Sequence, residues 1–276
     1  MTEYVRPRDL DEALATRAAH PDWMVLAGGT DLMVNATHQP VPAGILDLWR
    51  LPSLGDIATN DRGVTIGAGA TWYEIENHAA IVEGWLPLAL AAREIGALQI
   101  QARATLGGNV GTSSPVGDSL PVLLALDAEL ELASVRGRRR VKYSEFCTGY
   151  RKTQLAPDEL IVSATLPHTQ AHTTWRKVGT RRAQSISKVM GAAAIELDGG
   201  VVRTARVALG AVADRPIRIT AVEDAVRGLA PAKAAEAARA ALRTAIKPID
   251  DVRSNAAYRR EVAENLVARF FSGILS

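Results

Sequence analysis

The sequence predicts an α+β protein of two domains, and three observations support this. The chain has 276 residues, which at about 150 residues per domain indicates two domains. Hydrophobic residues make up 47% of the chain and charged residues 22%, as in soluble globular proteins, so intrinsic disorder is excluded. Helix and strand signals alternate in the first part of the chain, whereas two strands followed by helices occupy its last third, a pattern typical of an α+β domain.

Charge and cysteine content exclude several classes of protein. The chain has 32 basic and 30 acidic residues, a net charge of +2, so no global field draws it to nucleic acid. Apolar runs such as Leu120 to Leu126 are far shorter than the roughly 20 residues that span a bilayer. The first six residues lack the basic and apolar stretches of a signal peptide, which predicts a cytoplasmic protein. The single cysteine, Cys147, excludes an internal disulfide and cannot alone ligate an iron–sulfur cluster or structural zinc.

The first fifty residues predict a small βαβ-like unit. Asp9 to Ala19 has apolar residues at helical spacing and acidic residues in its first turn, which predicts a helix. The short apolar runs Trp23 to Leu26 and Gly44 to Leu48 predict strands. Between them, Ala27 to Val34 predicts a glycine turn that opens another helix.

A second unit begins near Val64. Val64 to Gly69 imitates the start of a dinucleotide-binding fingerprint, but the third glycine position holds Trp72, which is too bulky for the close helix–strand contact. Thr71 to Glu74 instead predicts a capping box that opens a helix. The further predicted elements are helices over 71–78, 86–95 and 118–126, a hairpin around Arg136 and a strand over 161–166.

The densest basic run, Arg136 to Lys142, follows the alternating segment Glu129 to Leu132. A hairpin turn with solvated arginines explains it, and a docking surface for a partner protein is the alternative. No stacking aromatic residues are interleaved with the arginines, so a nucleic-acid site is disfavoured.

The best domain boundary is the loop from His168 to Thr173. His168 and His172 stand four residues apart, but Pro167 and the threonines around them favour an exposed loop over a helical metal pair. We therefore expect no metal site, one domain over 1–168 with subdomains of about 1–55 and 56–168, and a second over 172–276. The second domain should contain strands over 192–197 and 201–209, joined at Asp198-Gly199-Gly200, and helices over 223–228, 232–246 and 255–271.

Two glycine-rich segments are the main candidates for ligand binding. Ala27 to Asp31 and Thr105 to Asn109 each contain tandem glycines followed by a small polar residue. Glycine lets successive backbone N–H groups converge on an anion, and the predicted helix after the first turn would add a favourable dipole. Hydroxyl donors are available at Thr30, Thr105 and Ser113. The alternative is that both segments are ordinary tight turns, because tandem glycines alone are weak evidence for anion binding.

Asp118 follows the second glycine-rich segment and has two possible roles. Its carboxylate can accept hydrogen bonds from ribose hydroxyls, as acidic residues do in other dinucleotide sites. Alternatively, it is the N-cap of the helix that begins at Ser119.

The order and spacing of these segments make the resemblance to one family specific. Leu26 to Leu32, Ala104 to Asn109 and Ser114-Pro115 with Asp118 and Pro121 resemble the FAD-binding subunits of the molybdenum hydroxylases. These include xanthine dehydrogenase and the carbon monoxide dehydrogenase medium subunit. Arg181 to Ser187 resembles a later segment of that family, and Asp250 to Arg253 with Ala257 to Arg260 resembles its C-terminal signature. The similarity covers nearly the whole chain.

The resemblance implies a fold of the vanillyl-alcohol-oxidase type, in which two α/β subdomains hold FAD and a C-terminal α+β domain covers it. It places the pyrophosphate against both glycine segments, the ribose or ribityl hydroxyls against Asp118, and a charge-stabilising role at Lys177, which is otherwise a strand residue facing solvent. For Ile95 and Ile161, core packing is the alternative. The implied cofactor-binding residues are Val25, Leu26, Ala27, Gly28, Gly29, Thr30, Asp31, Leu32, Ile95, Thr105, Leu106, Gly107, Gly108, Asn109, Ser113, Asp118, Ile161 and Lys177.

The resemblance also implies a function without catalytic residues of its own. The chain would receive electrons from two [2Fe–2S] clusters on a small partner, downstream of molybdopterin on a large partner, and deliver them from FAD to NAD or another acceptor. A dimer of heterotrimers is the implied assembly. The alternatives are a self-contained FAD-dependent oxidase, disfavoured by the short chain, and a cofactor-free scaffold of the same fold.

Overall fold

A three-stranded parallel sheet opens the fold. In the computed structural model, which describes residues 2–34, 40–182 and 184–275, its strands pair in the order β1-β3-β2. The elements are β1 (Glu3–Val5), α1 (Leu10–Ala19), β2 (Met24–Leu26) and β3 (Gly44–Asp47). Helix α1 begins after Asp9, whose side chain accepts a hydrogen bond from the backbone N–H of Glu12. The prediction of a helix after the first glycine turn is wrong for the described residues, because only a 3-10 turn over 32–34 follows that turn. Residues 35–39, which the prediction did not reach, lie outside the described residues.

The next unit is a five-stranded antiparallel sheet with short helices and a separate β8-β9 pair, and the order of the large sheet is β4-β5-β10-β6-β7. Its elements are β4 (Ile57–Asn60), β5 (Gly63–Gly67), α2 (Trp72–Asn77), α3 (Ala79–Gly84), α4 (Leu86–Arg93), α5 (Leu98–Gln101), α6 (Leu106–Thr112), α7 (Leu120–Ala125), β6 (Glu129–Ser134), β7 (Gly137–Lys142), α8 (Tyr143–Phe146), β8 (Cys147–Gly149), β9 (Lys152–Thr153) and β10 (Leu160–Pro167). The predicted capping box is confirmed at the start of α2. The Thr71 hydroxyl accepts from the backbone N–H of Glu74, and the Glu74 carboxylate accepts from the backbone N–H of Thr71.

The second glycine-rich segment is a helix rather than a turn. Helix α6 contains both Gly107 and Gly108 and is capped by Thr105, whose hydroxyl accepts from the N–H of Gly108. A Cβ at Gly107 would lie 2.7 Å from Cβ of Ala68. Glycine is therefore required at Gly107 by close packing against the segment that follows β5, and this contact offsets the low helix propensity of the two glycines.

The predicted hairpin around Arg136 is confirmed, with β6 and β7 paired in antiparallel register. Its arginines are paired with carboxylates rather than only solvated. Arg138 pairs with Glu131, and Arg136 contacts Asp158 at 2.9 Å. Arg139 makes two bonds to Glu159, of 2.6 and 2.8 Å, which ties the hairpin to the start of β10.

Glu159→Gln is expected to reduce the free energy of unfolding by about 1 kcal/mol near neutral pH. The expected loss is small because Arg139 is partly exposed, so that solvent weakens its attraction to Glu159. The hydrogen bonds from Arg139 hold the pKa of the Glu159 carboxyl below its usual value. A carboxyl with a lowered folded-state pKa stabilises the fold above its unfolded-state pKa, and this contribution is lost as the pH falls through the folded-state pKa.

Urea unfolding of the two proteins across the acidic range measures this effect. The difference between them should be largest near neutral pH and shrink on acidification. Glu145→Gln, at an exposed carboxylate of α8, is the matched control. A difference that stays constant with pH would contradict the pairing.

The C-terminal part has the predicted two strands and helices, together with two further strands. Its sheet has the order β11-β12-β13-β14. The elements are β11 (His172–Val178), β12 (Val189–Asp198), β13 (Val201–Gly210), β14 (Ile217–Arg218), α9 (Thr220–Val226), α10 (Pro231–Ala245) and α11 (Ala256–Ser272). Strands β12 and β13 meet at Gly199 and Gly200, with φ of +56° and +80°, which two-residue hairpin turns of this twist require.

Strand β12 is buried on both faces. Ala192 and Ala194 pack into the core shared with the first part of the chain, whereas Ala193 and Ile195 pack against the C-terminal helices. Small side chains let the sheet lie close to both layers, so the strand shows no alternation of apolar and polar residues. None of the described helices is both long and apolar enough to cross a membrane.

Candidate functional site

A single large cleft collects the glycine segments and side chains from both parts of the chain. Its volume is about 1370 Å³, more than a drug-sized ligand usually needs. The first wall is the loop after β2 and the start of α6, and the opposite wall includes Gln184, Ser185 and Ile186 from the segment before β12. Ala183, within that segment, lies outside the described residues.

The first glycine loop offers donors to the cleft. Gly29 has a φ of +77°, and the backbone N–H groups of Gly28, Gly29 and Thr30 have no acceptor within the described ranges. Gly28 lies against the carbonyl of Arg103, where a Cβ would stand 1.8 Å from the oxygen. The loop is thus fixed in place while its N–H groups stay available to an anion.

Arg103 and Arg151 brace this loop from outside and across the cleft. The Arg103 guanidinium lies 3.8 Å from the ring centre of Trp49 and donates to the carbonyl of Gly28 at 3.4 Å. Arg151 approaches the carboxylate of Asp31 at 3.4 Å. These contacts restrict how far the loop can move from α6.

The start of α6 differs from the first loop because its N–H groups are already paired. Leu106 donates to the carbonyl of Ala70 at 3.0 Å, and Gly107 donates to that of Ala68 at 2.7 Å. Gly108 donates to the hydroxyl of Thr105 at 3.1 Å. The helix therefore contributes its dipole, a glycine surface and side chains to the cleft, but not its first backbone donors.

Asp118 forms a buried ion pair on the cleft wall. Its Oδ2 accepts from Nζ of Lys177 at 2.7 Å, and its Oδ1 accepts from the hydroxyl of Ser187 at 2.5 Å. Lys177 also donates to the carbonyl of Glu94 at 3.1 Å. Burial raises the pKa of the Asp118 carboxyl, although Lys177 and Ser187 favour its charged form and limit the rise.

Two of the alternatives left open by the sequence are wrong. Asp118 is not the N-cap of α7, since that position belongs to Ser119. Lys177 does not face solvent, since only 5% of its side chain is exposed.

Most of the predicted site residues line the cleft. The four that do not are Leu26, Leu106, Ser113 and Lys177. Leu106 is buried in the core. The Ser113 hydroxyl is fully buried and lies 2.9 Å from the sulfur of Cys147, so it points away from a ligand in the cleft. Ile95 and Ile161 line the cleft and also pack against the core, so the core packing considered for them is confirmed, while their contact with a flavin stays a prediction.

Sequence reasoning missed Ser187 and Arg259. Arg259 lines the cleft from the first turn of α11 and is 3% exposed. Its guanidinium donates to the carbonyl of Ala211 and to Asp251, while Nε has no partner among the described residues. The signal for Arg259 was its place within Ala257 to Arg260, which resembles part of the C-terminal signature of the molybdenum hydroxylase flavoproteins.

Comparisons with known proteins agree over the whole length of the chain. Residues 1–169 match the family described as FAD binding domain in molybdopterin dehydrogenase, and residues 175–274 match the CO dehydrogenase flavoprotein C-terminal domain. The chain is 33% identical to the glyceraldehyde dehydrogenase medium chain of Sulfolobus acidocaldarius, over 98% of this chain and 97% of that protein. It is 30% identical to the nicotinate dehydrogenase FAD-subunit of Eubacterium barkeri, over 99% and 96%. A chain of carbon monoxide dehydrogenase from Hydrogenophaga pseudoflava has a similar structure, with a TM-score of 0.92 at 29% identity, covering 97% of this chain and 95% of that chain.

Proposed function

Since the chain belongs to the FAD-binding medium subunits of the molybdenum hydroxylases, we propose that it holds FAD in the cleft and carries electrons as one subunit of a larger oxidoreductase. The observation that carries the proposal is the convergence of three features on one cleft. They are the N–H groups of the first glycine loop, which have no acceptor among the described residues, the glycine surface of α6, and Asp118, which Lys177 holds from behind the cleft wall. A dinucleotide needs these three chemistries, namely anion donors, close backbone approach and a hydroxyl acceptor.

The residues of the cleft fit the parts of FAD. Gly28, Gly29 and Thr30 would donate backbone hydrogen bonds to the pyrophosphate, while Gly108 gives the phosphates room beside α6. Asp118 would accept from ribose or ribityl hydroxyls. Ile95 and Ile161 give the cleft apolar walls that exclude water, as a flat ring system requires. FAD, when bound, supplies hydride-transfer and one-electron chemistry, and the protein supplies its position and electrostatic surroundings.

The metal centres of the complex belong to partners in this proposal. The chain has one cysteine, and a [2Fe–2S] cluster needs several thiolate or imidazole ligands from its protein. We therefore propose that the chain accepts electrons from two [2Fe–2S] clusters on a small subunit, with molybdopterin and the hydroxylated substrate on a large subunit. This accounts for a cleft whose described residues supply binding groups for a cofactor.

The remaining parts of the proposal concern the acceptor and the assembly. NAD or another carrier takes the electrons, and the complex is a dimer of heterotrimers located in the cytoplasm. Residues 1–168 form the FAD domain, with subdomains of about 1–55 and 56–168, and residues 172–276 form the second domain. The three-stranded and five-stranded sheets, each with its own strand order, support the subdivision.

Affinity purification of the tagged chain from its native host tests the proposal. We expect a yellow complex that releases FAD on denaturation and contains iron and molybdenum on two further polypeptides. Oxidation of the dithionite-reduced complex by NAD identifies the acceptor. A purified chain without flavin would favour a scaffold, and a lone chain that oxidises a substrate would favour a self-contained oxidase; either result overturns the proposal.

A further inference from the structure

The carboxylate of Asp118 is held by two groups that come from the other part of the chain. Asp118 precedes α7, whereas Lys177 lies on β11 and Ser187 lies in the segment before β12. The two groups bond to different carboxylate oxygens, at 2.7 Å and 2.5 Å. Both rotation of the carboxylate and its withdrawal from the cleft wall therefore require breaking a buried hydrogen bond.

Ser187 has no access to a ligand of its own. Its side chain is fully buried, and it is absent from the residues that line the cleft, although its neighbours Ser185 and Ile186 are among them. Its hydroxyl donates to Asp118. Any influence of Ser187 on a bound ligand must therefore pass through Asp118.

We infer that Ser187 is a positioning residue of the cofactor site, whose hydroxyl fixes the orientation of Asp118 and keeps it charged beside Lys177. The inference rests on the proposed binding of FAD in this cleft. In addition, the net charge of the Asp118–Lys177 pair beside the cofactor then depends on Ser187, which does not line the cleft.

Several groups determine the charge of Asp118. Burial and the nearby carboxylate of Glu94, which follows α4, both raise the pKa of its carboxyl, while Lys177 and Ser187 lower it. A hydrogen bond to the ionised form stabilises that form. Loss of the Ser187 hydroxyl therefore raises the pKa of Asp118 further, and the carboxyl becomes protonated at a higher pH.

Protonation of Asp118 changes the field at the cofactor. The positive charge of Lys177 would no longer be compensated by a carboxylate 2.7 Å away. An uncompensated positive charge favours the electron-rich, reduced form of a nearby redox group. In a variant without the Ser187 hydroxyl, Asp118 is protonated over a pH range in which it is still ionised in the parent protein. The midpoint potential of bound FAD should be more positive in the variant over that range.

Spectroelectrochemical titration of the FAD-loaded full chain across pH tests this, with Ser187→Ala as the main variant. We expect its midpoint potential to lie above that of the parent in this pH range and to converge with it at lower pH, where Asp118 is protonated in both proteins. Ser187→Thr, which keeps the hydroxyl, should restore the parent profile. Ser134→Ala removes a buried serine in the β6–β7 hairpin, away from the cleft, and should leave the profile unchanged.

A double-mutant comparison shows whether Ser187 acts through Asp118. In an Asp118→Asn background, Ser187→Ala should no longer move the potential, because no carboxyl remains to titrate. A parent-like pH profile in Ser187→Ala, or a shift that persists beside Asp118→Asn, would overturn the inference. If Ser187→Ala does not fold, Ser187→Cys, a weaker donor of similar shape, must give a smaller shift in the same direction. A parent chain that takes up no FAD would instead overturn the proposed function.

Discussion

Replacing Lys177 by methionine is expected to lower the free energy of unfolding of the full chain by about 3–5 kcal/mol near neutral pH, the usual cost of removing one partner of a buried ion pair. Only 5% of the Lys177 side chain and 10% of the Asp118 side chain are exposed, so water compensates the remaining carboxylate poorly. Methionine keeps the length and apolar volume of the lysine stem, which leaves the lost charge as the main change. Urea unfolding followed by circular dichroism measures the difference.

The stability deficit of Lys177→Met should depend on pH with a definite sign. Without the lysine, the pKa of the Asp118 carboxyl rises further above its usual value, because burial remains. The folded form then favours the protonated acid, so the deficit is full above the folded-state pKa and shrinks as the pH falls through it. Adding Asp118→Asn should recover much of the lost stability, whereas Lys142→Met, at an exposed position on β7, should change little. A deficit equal at all pH values would show that packing, and not charge, dominates.

Gly108→Val is expected to leave the protein folded and to weaken FAD binding at least about tenfold, equal to about 1.4 kcal/mol. A Cβ at Gly108 would stand 3.1 Å from the hydroxyl of Thr105, and beyond its own helix backbone no other described atom lies within 4 Å of it. The added isopropyl group therefore meets the cleft rather than the core and fills the space beside the first turn of α6. Valine also has a higher helix propensity than glycine, which helps to preserve α6.

Fluorescence titration of flavin-free protein with FAD measures the affinity, and thermal unfolding confirms that the variant is folded. Gly84→Val is the matched control, because a Cβ at the end of α3 meets nothing within 4 Å. It should bind FAD as the parent does. Undiminished affinity in Gly108→Val would show that the cofactor does not approach α6.

Features set by neighbouring residues were predictable from the sequence. The capping box at Thr71 and the hairpin at Gly199-Gly200 depend on side chains or φ angles within a few residues. Both were therefore identified at the right place. The order and spacing of the glycine segments and the later segments were sufficient to predict the family.

Features set by distant contacts were not predictable. Gly107 and Gly108 suggested a turn, yet α6 forms because the carbonyls of Ala68 and Ala70 accept its first N–H groups and Ala68 packs against Gly107. Lys177 was compatible with an exposed strand position because lysine usually lies on a solvent face, and only its contacts with Asp118 and the carbonyl of Glu94 show that its side chain is buried. Ser187 lay at the end of a segment that resembles the family, but that resemblance gave it no role, and only its contact with Asp118 across the two parts of the chain does so.

The pairing of Asp118 with Lys177 and Ser187 also has a consequence for synthesis. Asp118 leaves the ribosome well before its two partners, and N-terminal regions generally fold first as a chain emerges. During that interval the carboxylate has neither its lysine nor its serine, so its place on the cleft wall is still exposed to solvent. The nascent chain can form its three-stranded sheet early, but the five-stranded sheet needs its central strand β10. The binding wall is complete only after β11 and Ser187 have been translated as well. We therefore expect a cofactor that needs this wall to bind after Lys177 and Ser187 have emerged, and not when the glycine segments appear.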